Sequence, residues 1–83
     1  MFYTEEDDMM LIYYAEKNME YGSANGQKLW KDAQHEQLLG PGRSWQSYEG
    51  RWKKTIKPRW GDYYEKAYID WLAATGRTRP RKL

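Results

Sequence analysis

Apolar residues recur every three or four positions through four stretches of the chain, and glycine or proline punctuates the gaps between them. In the first stretch Asp7, Met10, Leu11, Tyr14 and Ala15 follow the helical spacing, with Leu11, Tyr14 and Ala15 expected on the buried stripe, until NMEYGSANG breaks the pattern near Met19. Thr4 is placed as its N-cap. Glu5, Glu6, Asp7 and Asp8 then fall in the first turn, where unsatisfied N–H groups and the helix dipole favour negative charge. In the second stretch Asn25 and Gly26 open a run in which Leu29, Trp30, Ala33 and Gln37 share a face, closed by Gly40-Pro41-Gly42. In the third, Ser44 caps a run with Trp45, Tyr48, Trp52 and Ile56 on one side, and Pro58, which lacks an N–H and crowds the preceding turn, is expected to stop it, the alternative being that the fourth helix continues the third with a kink at Pro58. In the fourth, Asp62 is expected to cap a stripe of Tyr64, Ala67, Tyr68, Trp71 and Leu72 that ends at Gly76. The pattern predicts an all-α fold with helices over about 4–19, 26–38, 44–57 and 62–75. It also predicts a helical domain over 1–76 followed by a flexible basic arm over 77–83.

Composition narrows what such helices can pack with. A chain of 83 residues holds one small core, and with five Trp and eight Tyr but few aliphatic residues that core must be built from rings with polar tips. The aromatic stripes are therefore assigned to burial before any stacking role. No cysteine is present, which removes disulfides, thiolate nucleophiles and cysteine zinc sites. His35 stands without a second ligand at metal spacing, so neither a metal nor a cofactor is expected. The carboxylates at 5–8 lack a nucleophile partner and are explained by the helix terminus, so no enzymatic activity and no small-molecule substrate are expected. No apolar run reaches the roughly 18–20 residues of a membrane span, and the acidic N-terminus is unlike a targeting presequence.

Charge is unevenly distributed. Residues 1–40 carry three Lys against eight Asp or Glu, a net −5, whereas residues 41–83 carry eleven Lys or Arg against four acids, a net +7. The second half has the footprint of a polyanion binder.

YTEEDD opening the first helix, LW in the second and RSWQSYEGRWKKTI in the third together resemble the Myb/SANT pattern, whose hallmark is one spaced aromatic from each of three helices. Here these are Tyr3, Trp30 and Trp52, with Tyr in place of the usual first Trp. Within that pattern, YTEEDD, the G-x-x-LWK of the second helix and SWQS opening the third are most similar to the Myb domain of the telomeric repressor-activator (Rap) proteins. The resemblance implies a three-helix, homeodomain-like helix-turn-helix bundle, to which this chain adds a fourth helix and a basic tail. It also implies double-stranded DNA as partner and a nuclear, chromosomal and telomeric setting.

A helix-turn-helix offers the exposed side of its last helix to the major groove. With the aromatic stripe inward, the resemblance implies base contacts at Gln46, Glu49, Gly50 and Lys53, of which Lys53 is the foremost reader. Lys54 and Lys57 are expected on phosphates, Lys28 and Lys31 on the opposite backbone, and Arg43, Arg59, Arg77 and Arg79 complete the phosphate or minor-groove candidates. Gly50 in mid-helix costs roughly 1 kcal/mol against Ala, which either a close approach to DNA or neutral drift explains. Arg77-Thr78-Arg79-Pro80 is similar to the Arg-Gly-Arg-Pro core of AT-hook arms, with Thr78 in place of glycine; the alternative is a linker. Arg51 is expected to pair with Glu6 or Asp7. The competing functional class is a Myb/SANT-type protein-interaction module of a telomere or chromatin complex, for which Glu49 in the reading row and Tyr63 and Ile69 on the fourth helix speak.

Overall fold

The computed structural model describes residues 2–18 and 27–80. The chain is all-helical: α1 spans Glu5–Lys17, α2 Gln27–His35, α3 Trp45–Arg51 and α4 Glu65–Thr75. Met19, the Asn25-Gly26 opening and Arg81 and Lys82 of the arm lie outside the described residues.

The helix ends follow the local chemistry. Thr4 caps α1 by accepting from the Asp7 amide (3.1 Å), while the Asp7 carboxylate accepts from the Thr4 amide (3.0 Å), a reciprocal capping box. Ser44 caps α3 by accepting from the Ser47 amide at 3.2 Å. Gly76 ends α4 in the left-handed conformation (φ 70°), with the Arg77 amide donating to the Leu72 carbonyl and the Gly76 amide to that of Ala73. The same closure ends α2 earlier than its apolar spacing suggested. Gln37 takes φ 54° while the Leu38 amide returns to the Ala33 carbonyl, so Gln37 is exposed rather than on the buried face.

Pro58 does not stop the third helix. From Trp45 to Thr75 the backbone stays helical, passing through a π-helical segment at Trp52–Ile56, a 3-10 turn at Lys57–Arg59 that takes Pro58 in its first positions, and a second π-helical segment at Trp60–Tyr64. Changing the turn width absorbs the missing N–H and the ring, and Arg59 (φ −108°, ψ 16°) takes up the bend. Asp62 accordingly sits inside a helical turn and makes no cap.

Packing around α1 explains its sequence. Met9, Leu11, Ile12 and Ala15 are all buried, which is more than one face; α4 packs along α1, and Arg51 of α3 reaches Asp8 on it. The core then runs through Trp30 and Trp52, whose ring centroids lie 5.7 Å apart, to Tyr48, Ile56, Tyr64, Tyr68 and Leu72. Two carboxylates are buried in this wall, Asp8 and Glu16. Both are neutralised. Asp8 takes two hydrogen bonds of 2.8 Å from Arg51 and one of 3.0 Å from the Tyr64 hydroxyl. Glu16 takes a 2.8 Å bond from Arg79 Nη2, a 3.0 Å bond from Arg79 Nε, and one of 3.0 Å from the Tyr68 hydroxyl. Arg51 thus pairs with Asp8, one residue further along α1 than expected. Within the arm, Arg79 reaches back to Glu16 of α1.

Candidate nucleic-acid interface

The described cations of the second half fall into three groups. Arg43, Arg51 and Arg79 turn inward. Arg43 lies 3.4 Å from the Asp7 carboxylate, donates to the Phe2 carbonyl at 2.9 Å and covers the Tyr3 ring at 4.4 Å. Arg51 lies 5.4 Å from the same ring while holding Asp8, and the Tyr3 hydroxyl shares a 2.5 Å hydrogen bond with Ser47 Oγ. The Tyr that stands where Myb domains carry Trp therefore anchors α3 to the N-terminal segment through two guanidinium groups and a hydroxyl. Hydrogen bonding to Asp8 raises the Arg51 pKa and bonding to Glu16 raises that of Arg79, so neither loses its charge on burial. Arg43 and Arg79, both expected on phosphates or in the minor groove, make these contacts within the protein, to Asp7 at the start of α1 and to the buried Glu16.

The lysines turn outward. Gln46, Lys53, Lys54 and Lys57 are exposed, with Gly50 half-buried between them. Lys53 Nζ lies 3.6 Å from Glu49 Oε2, one helical turn back, so the two polar readers expected of α3 meet each other across its surface. Among the described residues no acid pairs with Lys54 or Lys57. A Cβ built on Gly50 meets no atom within 4 Å, so nothing inside the protein requires glycine there. Lys28 pairs with Asp32 at 3.1 Å on α2, and Lys31 lies 5.1 Å from the ring of Trp45, next to the start of α3. The Gln34 side chain accepts from the Trp45 amide at 2.8 Å, which locks the end of α2 to the first residue of α3.

Arg59 and Arg77 lie apart from this face. Arg59 covers Tyr63 at 5.2 Å, and Arg77 covers Trp71 at 4.6 Å and Tyr13 at 5.6 Å. Sequence reasoning missed Asp8 and Glu16 as the partners of Arg51 and Arg79, and Tyr64 and Tyr68 as the hydroxyls that donate to the same two carboxylates. Among the described residues no group of side chains is arranged to hold a metal ion, and no helix is long and apolar enough to cross a membrane.

A helix-turn-helix with Trp30 and Trp52 in contact and a polar outer face on the second helix of the pair is the architecture of a Myb domain. A family model described as the Rap1 Myb domain matches residues 3–63. The chain belongs to this family. No curated protein and no solved structure gives a significant match. Members of the Rap1 Myb family are binding modules for DNA or protein. The match takes in α1, α2, α3 and the π-helical continuation and ends at Tyr63, so α4 and Arg79 stand beyond the Rap1 Myb segment, although Glu16, the partner of Arg79, lies within it.

Proposed function

We propose that this Rap1 Myb domain binds double-stranded DNA sequence-specifically, with α3 in the major groove, and performs no catalysis. The observation that carries the reading is the sorting of cations. The arginines facing the core are spent on Asp7, Asp8 and Glu16, which leaves the excess positive charge on the outer side of α3 and its continuation, at Lys53, Lys54 and Lys57. That side carries no large apolar residue, as a surface meeting phosphates and base edges requires. Lys53 and Gln46 are the base readers, with Glu49 positioned to accept from a cytosine amino group; Lys54 and Lys57 contact phosphates, and Lys28 and Lys31 contact the opposite backbone. Family membership supports telomeric repeat DNA as the target and a nuclear, chromosomal location.

Lys53→Ala is expected to weaken binding to the cognate duplex by about 1–3 kcal/mol and to narrow its preference over a scrambled duplex. Lys57→Ala is expected to weaken both duplexes equally and to lower the salt dependence by about one phosphate contact. Fluorescence anisotropy with both duplexes measures each effect; equal losses on both for Lys53→Ala would remove it as a reader. A second reading, a protein-binding Rap1 Myb module, is favoured by the Glu49–Lys53 pair, which neutralises the centre of the row before any ligand arrives. It requires that no duplex binds even at low salt.

A further inference from the structure

We infer that the domain carries a second docking site, a groove between the start of α1 and the outer face of α4, that takes a short protein segment bearing lysine or arginine beside an apolar side chain. The groove encloses about 530 Å³. Its floor is apolar, formed by Ala67, Trp71 and Ala74 at successive turns of α4. Three carboxylates stand around that floor, Glu5 from α1 and Asp62 and Asp70 from the α4 side, against one lysine among the described lining residues, Lys66. Tyr63 crosses one end, its hydroxyl donating to the Glu5 carboxylate and so tying the two walls together. Asp62 and Asp70 are exposed, and among the described residues neither has an ion-pair or hydrogen-bond partner, so both carboxylates are available to an incoming cation.

Charge selects the occupant. The chain as a whole is +2, yet this groove is lined by three acids and one base, the reverse of the α3 face, so it repels a phosphate backbone and attracts a cation. The apolar floor adds the requirement for an aliphatic or aromatic neighbour to that cation. A second copy of this domain is a poor match, because the lysines of α3 have no large apolar residue exposed beside them. None of the residues lining the groove belongs to the reading row at 46, 49, 50 and 53, so the two ligands do not compete for the same side chains.

The test is a titration of the isotope-labelled 83-residue chain, followed by amide shifts in NMR, with short synthetic peptides of lysine and leucine, of lysine and glycine, and of glutamate and leucine. The lysine–leucine peptide is expected to move the amides of Tyr63, Ala67 and Ala74. Removing the leucines or replacing the lysines by glutamate is expected to weaken binding at least about tenfold, as is the double variant Asp62→Asn with Asp70→Asn, with an unchanged fold. Shifts centred elsewhere, equal binding of the glutamate peptide, or full affinity in the double variant would overturn the site. Concentration-dependent shifts of the same amides without peptide would overturn the occupant in favour of a second copy. Duplex binding by the double variant is read separately and is expected to be unaffected, so failure of this site and failure of the DNA reading are distinguishable.

Discussion

Gly50 shows how a single residue separates the protein's own needs from those of a ligand. Its position in α3 is ordinary helix and its missing Cβ faces open space, so the free domain gains nothing from glycine. Gly50→Ala is therefore expected to stabilise the free protein by about 0.5–1 kcal/mol in urea unfolding, because alanine loses less backbone entropy on folding. A loss of stability would mean that the helix is strained at this point. Tyr68 carries the opposite kind of information. Burial first, and then the Glu16 carboxylate that accepts from its hydroxyl, push its pKa well above the ordinary phenol value. Folding thus favours the neutral phenol. That contribution is complete below about pH 10, where the unfolded phenol also keeps its proton, and is lost as pH rises beyond it. Urea unfolding at a series of alkaline pH values should show stability falling above about pH 10, with a shallower fall for Tyr68→Phe. Identical slopes would show that Tyr68 is not the group responsible.

At the scale of elements, what the sequence disclosed depended on how locally each feature is decided. Thr4, Ser44 and Gly76 act within their own turns, and their caps stand where the residue types place them. Pro58 and Asp62 were misread for a different reason: the packing of Trp52, Ile56, Tyr64 and Tyr68 into one core holds the chain helical through the proline, and turns of altered width absorb its cost. The buried acids were hidden in an acidic first turn that the helix dipole alone accounts for. Their partners lie far along the chain, Arg51 43 residues from Asp8 and Arg79 63 residues from Glu16, where no local pattern reaches. The candidate reading row on α3 was legible because it is the complement of the aromatic stripe, whereas the internal commitment of Arg43 and Arg79 was not. Arg79 of the arm is the cation that meets the buried Glu16. Arg79→Ala, or cutting the chain after Gly76, is expected to cost about 3 kcal/mol, since either leaves a fully buried carboxylate without its cation. Equal urea midpoints for the cut and full chains would show that the arm contributes no stability.

Across the whole molecule, charge is arranged by layer. The acids of α1 and the arginines of the second half meet, so part of the −5 of one half and the +7 of the other is paired within the fold. What remains outside is positive on the helical continuation of α3, at Lys53, Lys54 and Lys57, and negative around the groove on α4. A duplex reader built this way releases counterions when it binds, and Lys28, Lys31, Lys54 and Lys57 together correspond to a slope of about −3 to −4 in the logarithm of affinity against that of salt. A contact with an apolar protein surface has almost no such slope. The most direct test is fluorescence anisotropy of the domain against telomere-repeat and scrambled duplexes at two salt concentrations. The account predicts salt-sensitive binding that prefers the repeat; equal affinity for both duplexes would reduce α3 to a non-specific clamp, and no binding at low salt would contradict DNA recognition altogether.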